Sequence, residues 1–141
     1  MPEREQSSNV EIVTSAIGAI AESNLWALTR LLHPDVRWAV DVADRSAAPW
    51  FAEFRGRQGV LDFYEELSKM DHRAFTVKSV AGDGDTVIVW THVVYGTPNG
   101  GEVDMDEIQV WQLEEGKVRE VTLFPDSLQI ATALNHRGDT A

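Results

Sequence analysis

An α+β domain, with helices in its first half and an antiparallel meander in its second, is what this sequence predicts. Apolar residues recur at helical spacing in two N-terminal segments and again over residues 56–70. β-Branched and aromatic residues alternate from Thr86 to Asp126 around two tight-turn sequences. No repeat, low-complexity run or linker divides the chain, so residues 9–134 are expected to form one domain between flexible ends, 1–8 and 135–141.

Taken in order, Ser8-Asn9-Val10-Glu11 reads as a capping box, followed by a stripe of Ile12, Val13, Ala16, Ile17, Ile20 and Ala21. Ser23-Asn24 interrupts this helix and can cap a second, Leu25 to Leu32, which His33-Pro34-Asp35 ends. Val36 to Asp41 alternates as a strand, with Val36, Trp38 and Val40 on one face. Residues 42–56 show no sustained period and carry Trp50, Phe51 and Phe54, either packed on the core or forming a lid over a cavity. Gly56 to Met70 predicts a helix with Val60, Leu61, Tyr64 and Leu67 inward. Phe75 to Val80 is a further strand, turned at Gly82-Asp83-Gly84, and Leu128 to Leu134 is a short closing helix behind Asp126-Ser127.

Composition narrows the function. The 141 residues carry 23 acids against 12 bases, a net charge of −11, which repels phosphate backbones and anionic membranes. No nucleic-acid partner is therefore expected. The absence of cysteine removes disulfides, thiolate metal sites and a cysteine nucleophile. No apolar run approaches a membrane span, and the polar start has no secretory pattern, so a cytoplasmic location without membrane association is expected. No HxH or HxxxH spacing supports a metal site, and neither metal nor cofactor is expected.

The chemistry concentrates in the long hairpins. With Asn99-Gly100 as a two-residue tip, Ile88 faces Trp111, Trp90 faces Gln109, His92 faces Glu107 and Val94 faces Met105. Carried across the turn at Glu115-Gly116, the register puts Trp111 beside Glu120, Gln109 beside Thr122 and Glu107 beside Phe124. The predicted pocket face thus holds His92, Glu107 and Asp126 as candidate catalytic residues. Trp38, Val40, Asp41, Trp90, Gln109, Trp111, Thr122 and Phe124 are candidate substrate contacts. A Glu opposite a His can orient the imidazole and stabilise its cation; equally, the pair can be a satisfied cross-strand contact. Asp126, at the mouth of an apolar pocket, would be desolvated enough to exchange a proton, or would simply cap the last helix. Val87, Val89, Thr91, Val93, Ile108 and Val110 fall on the opposite face, an apolar surface expected to form a homodimer.

The segments LLHPDVRWAVD, FRGRQGVLDFYEEL and IQVWQLEEGKVREVTLFPD, in this order and spacing, resemble the nuclear transport factor 2-like superfamily over residues 9 to 134. The texture is similar to that of SnoaL-like polyketide cyclases, ketosteroid isomerases and limonene epoxide hydrolases. That resemblance implies a cone: a strongly curved sheet wrapped around N-terminal helices and enclosing a pocket, usually as a dimer. The epoxide-hydrolase positions fall on Trp90, His92 and Asp126, of which only Asp126 matches. The ketosteroid-isomerase positions fall near Ala16, Val40 (with Asp41 adjacent) and Gln109, leaving two of the three roles empty. The cyclase acid–base Asp matches Asp126. The expectation is an enzyme performing cofactor-free acid–base chemistry on a small apolar, aromatic or polyketide-like molecule, by isomerisation, cyclisation, dehydration or epoxide hydrolysis. A non-catalytic binding protein on the same fold is the alternative.

Overall fold

The chain runs α1 (Pro2–Ala21), α2 (Leu25–Leu31), β1 (Leu32–Val40), a 3-10 turn (Arg45–Ala47), β2 (Glu53–Arg55), α3 (Gly56–Leu67), β3 (Asp71–Asp83), β4 (Thr86–Gly96), β5 (Glu102–Glu114), β6 (Lys117–Phe124) and α4 (Ser127–Leu134). The computed structural model describes residues 2–137, with side chains from Asn9 onward. α1 begins ahead of the predicted cap at Ser8, whose side chain lies outside the described set, as do the last residues of the expected loose C-terminus, 138–141.

The break between α1 and α2 has the predicted cause. Ser23 takes a positive φ of 57°, and the Asn24 side chain accepts a hydrogen bond from the Ala27 amide. β1 starts earlier than the alternation suggests, at Leu32, and the aperiodic stretch after it holds the short strand β2 against β1. The sheet order is β2-β1-β6-β5-β4-β3, with β1 and β6 parallel and all other neighbours antiparallel. This curved, unclosed sheet holds α1 and α3 on its concave side, an α+β cone. Trp38 anchors the core, its ring 5.9 Å from Phe63, 5.7 Å from Tyr64 and 5.5 Å from Trp111.

Two strand registers differ from the predicted ones by one residue, and each slip turns side chains to the other face. In the first hairpin, Thr97 N–H donates to Gly101 O at 2.9 Å, so three residues, Pro98 to Gly100, form the tip, with Gly100 at φ 91°. His92 therefore pairs with Asp106, Trp90 with Ile108 and Ile88 with Val110. In the second hairpin the predicted Glu115-Gly116 turn forms, both residues at positive φ, and Glu114 pairs with Lys117. A bulge follows, since Leu113 faces Val118 while Gln112 faces Glu120, leaving Arg119 as the extra residue.

The consequences correct several expectations. Met105, Glu107, Gln109 and Trp111 of β5 stand on the inner side. Their neighbours there are Val87, Val89, Thr91, Val93 and Tyr95 of β4 and Val121 and Leu123 of β6, all buried. Val87, Val89, Thr91 and Val93 are thus removed from the outer face expected to associate, where Ile108 and Val110 remain. Trp90, His92, Thr122 and Phe124 leave the pocket wall for the outside. The physical reason is that the odd-numbered face of β4 buries no charge, whereas the even-numbered face would have buried His92.

Candidate functional site

A cavity of about 400 Å³ opens inside the cone. The ends of α1 and α2 give it Ile20, Ala21, Ser23 and Leu25; α3 gives Phe63, Tyr64 and Leu67; β4 and β5 give Val93, Tyr95, Met105 and Glu107. Val40, Trp50, Phe75, Leu123, Pro125 and Ile130 complete the largely apolar wall. The exposed residues among its lining, Ala21, Ser23, Ser68 and His72, mark the mouth between the α1–α2 break and the start of β3.

Among the described residues Glu107 is the acid in this wall. The cavity itself reaches its side chain, which is otherwise enclosed by protein, and burial pushes its carboxyl up to about 7. Gln109 opposes the shift by donating from Nε2 to Glu107 Oε1 at 3.5 Å. The Gln109 oxygen is in turn held by Trp111 Nε1–H at 2.9 Å, deep in the core. Two phenols face the same space. Burial, and then the charge of Glu107, raise Tyr95 above its ordinary value and Tyr64 well above it. Both therefore remain O–H donors at neutral pH. At the mouth, His72 Nε2 lies 2.9 Å from the Leu67 carbonyl, which can only accept, so Nε2 carries the proton. The His72 ring stacks obliquely on Tyr95, with centroids 5.7 Å apart.

The structure distributes the predicted site residues unevenly. Glu107 and Val40 line the cavity. Gln109 stands behind Glu107, while Trp38 and Trp111 are core residues behind the wall. Trp38 Nε1 is buried without a hydrogen-bond partner among the described residues. Asp41 is exposed just past β1, its amide donating to Leu123 O at 2.8 Å. Asp126 is exposed and caps α4, accepting from the Gln129 amide at 3.2 Å. The predicted His92–Glu107 pair does not form, because these residues occupy opposite faces. On the outer face, His92 instead lies between Asp104, 2.6 Å from Nε2, and Asp106, 2.5 Å from Nδ1. Those carboxylates, Asp106 foremost, raise the imidazole above its usual value.

Tyr64, Tyr95, Trp50 and His72 were not among the candidate contacts. Tyr64 already stood on the inward stripe of its helix, so its sequence signal was present. Tyr95 was lost to the register slip. Trp50 belongs to the segment read as core packing or a lid; it is buried and meets Tyr95 at 6.5 Å between centroids.

Comparison with known proteins agrees with this architecture. A model of the SnoaL-like domain matches residues 13–121. No curated protein sequence matches. Among solved structures, an NTF2-like protein from Burkholderia xenovorans LB400 superposes with a TM-score of 0.80 at 18% identity, covering 92% of this chain and 98% of that one. TerC, co-crystallised with polyporic acid, gives 0.81 at 16% identity over 92% and 99%. A candidate isomerase from Bacillus subtilis gives 0.75 at 16% over 92% and 94%. At such identities the likeness speaks for the fold alone.

Proposed function

Since the chain belongs to the SnoaL-like domain family, we propose that its cavity is the active site of a small-molecule enzyme that transfers a proton through Glu107. The observation that carries this reading is the Glu107 carboxyl in an apolar wall, with a pKa pushed up to about 7. Near neutral pH such a group is populated in both forms, so it can take a proton from a bound molecule and return it elsewhere. Tyr64 and Tyr95 supply O–H groups to an oxygen that gains charge as the proton leaves. Proton transfer of this kind needs no cofactor and serves isomerisation, cyclisation or dehydration of an apolar or aromatic substrate. The candidate isomerase on this fold supports that chemistry, and TerC, co-crystallised with polyporic acid, supports a small-molecule ligand.

The test is a substrate screen on wild type, Glu107→Gln and His92→Ala. Glu107→Gln should lose about 10²–10⁴-fold in kcat, and His92→Ala should retain activity. Full turnover by Glu107→Gln would remove the proposal. A non-catalytic binding role is favoured by one observation: Glu107 is the one carboxylate among the described cavity-lining residues, where a separate acid and base were expected.

The outer sheet face carries Ile88, Trp90, Ile108 and Phe124 exposed together, 46%, 40%, 36% and 40% respectively. We propose that two copies associate through this face. Trp90→Glu should then turn a dimer into a monomer by light scattering. No helix among the described residues is long and apolar enough to cross a membrane, and a cytoplasmic location is proposed.

A further inference from the structure

We propose that the ligand selected by this cavity is an apolar, aromatic molecule bearing one basic nitrogen, seated with that nitrogen against the Glu107 carboxylate. This ligand class rests on the reading of the cavity as the ligand site and adds to it the sign of the ligand's charge; for such a ligand Glu107 is the anchoring carboxylate of the binding role named above, not the proton carrier.

Three independent features favour it. First, Glu107 is an acid without a cationic partner. Among the described residues no Lys or Arg lines the cavity, and the Gln109 amide at 3.5 Å is the one donor on its carboxylate. A carboxylate has room for several donors, and an ammonium group brings up to three. Second, Trp50, Phe63, Tyr64, Phe75 and Tyr95 bring aromatic rings to the same space. Several pack edge to face, Phe63 with Tyr64 at 4.9 Å and 84°, and Trp50 with Tyr95 at 6.5 Å and 72°. Ring faces carry negative charge density and attract a desolvated cation. Third, the chain's net charge of −11 raises the local concentration of cations and lowers that of anions.

The alternatives are ordered by the same chemistry. An anionic ligand would meet Glu107 in a medium that screens it poorly. A neutral carbonyl ligand would bind the protonated acid and weaken as Glu107 ionises. A basic nitrogen behaves oppositely. A neutral amine takes the Glu107 proton, leaving an ammonium–carboxylate pair, whereas an ammonium ion binds as the Glu107 proton leaves to solvent. Among the described residues, the titratable groups that face Glu107 across the cavity are the phenols of Tyr64 from α3 and Tyr95 from β4, with His72 of β3 at the mouth. Both phenols stay neutral in the relevant range, so within the wall the ionisation of Glu107 sets the sign of the pH dependence, and the Glu107→Gln variant separates it from any effect of His72 at the mouth.

The test is isothermal titration calorimetry of the full chain with three probes of one skeleton: diphenylpropylamine, the corresponding alcohol and the corresponding carboxylate. The amine should bind tightest and the carboxylate weakest. Between pH 6 and pH 8, spanning the Glu107 value of about 7, amine affinity should rise about tenfold while alcohol affinity stays level or falls. In Glu107→Gln, shown to be folded by its melting curve, the amine should lose both its advantage and its pH dependence while the alcohol still binds. An alcohol that matches the amine at pH 8, or an amine affinity that does not rise, overturns the proposed ligand class yet leaves the cavity as a ligand site. Failure of all three probes to bind overturns both.

Discussion

Gln109 presents its amide NH₂, not its oxygen, to Glu107, two residues away on the inner side of β5. The orientation is enforced from behind. The buried Trp111 indole can only donate, so the Gln109 oxygen must face it, at 2.9 Å, and Nε2 is left for Glu107 at 3.5 Å. A donor stabilises the carboxylate against the burial that favours the acid. Gln109→Leu should therefore move the Glu107 titration above about 7, read by carbon NMR of the labelled glutamate. Trp111→Phe should move it the same way by freeing the amide to turn. An unchanged titration in Gln109→Leu would dismiss the role.

Glu107 also makes stability depend on pH, with a sign that follows from its raised value. Its ordinary carboxyl titrates near 4.5 and the folded one near 7, so between these limits the folded state holds the extra proton. Stability is then undiminished below 4.5 and falls as pH rises toward 7. The loss amounts to about 3 kcal/mol on the alkaline side. Glu107→Gln removes the penalty. Urea unfolding should show this variant gaining on wild type at pH 8 and gaining nothing at pH 4; equal differences at both would refute the assignment.

What the sequence made legible, and what it hid, divides at single residues. Helical spacing located α1, α2 and α3, and the Glu115-Gly116 pair announced its turn, because these signals are local. The faces of β4 and β6 differ from the expected ones because one residue decides each. Thr97 closes the first loop through its own backbone and hydroxyl, and Arg119 is squeezed out of the second ladder. Neither event leaves a compositional trace. β5 keeps its expected face, so Glu107 stands in the cavity wall as the pattern places it, but not opposite His92. The pocket's phenols and His72 come together only through α3, β3 and β4, which no local pattern relates.

His92 titrates in a different setting, held by two carboxylates on the outer face beside a third contact set. Asp106 also accepts from Trp90 Nε1 at 2.9 Å and meets Lys78 Nζ at 3.4 Å, while Lys78 lies 4.2 Å over the Trp90 ring. His92 is raised from 6.5, chiefly by Asp106 and then by Asp104. The stabilising contribution is complete below 6.5 and is lost as pH rises through the folded value. Asp106→Asn should lower the His92 midpoint in a proton NMR titration more than Asp104→Asn does. Neither change should alter affinity for a cavity ligand, since His92 stands on the opposite side of the sheet.

Asp126 separates capping from catalysis. Its side chain accepts from the Gln129 amide at 3.2 Å at the start of α4 and is exposed. Removing such a cap costs about 1 kcal/mol. Asp126→Ala should lose that much in urea unfolding, whereas Asp126→Ser, which keeps a capping oxygen, should lose less. Both should bind cavity ligands as wild type does. Collapse of binding in the alanine variant, with stability intact, would return Asp126 to the site.

Two glycines should respond to alanine with opposite signs. Gly101 follows the tip of the first hairpin, where the chain passes under the end of α4 and the Asn99 amide donates to Ala133 O at 3.2 Å and Leu134 O at 3.1 Å. A methyl on Gly101 would be driven into the Ala133 carbonyl oxygen and would lie 2.7 Å from Thr97 Oγ1. Relief requires moving backbone, so Gly101→Ala should cost about 1–3 kcal/mol or more. Gly18, exposed in α1, has nothing within 4 Å of the position a methyl would take. There the gain in helix propensity dominates, and Gly18→Ala should stabilise by up to about 1 kcal/mol. Because Ile130 on α4 lines the cavity, Gly101→Ala should also weaken ligand binding, and Gly18→Ala should not. A Gly101→Ala protein as stable as wild type would contradict the tight seating of α4 on this loop.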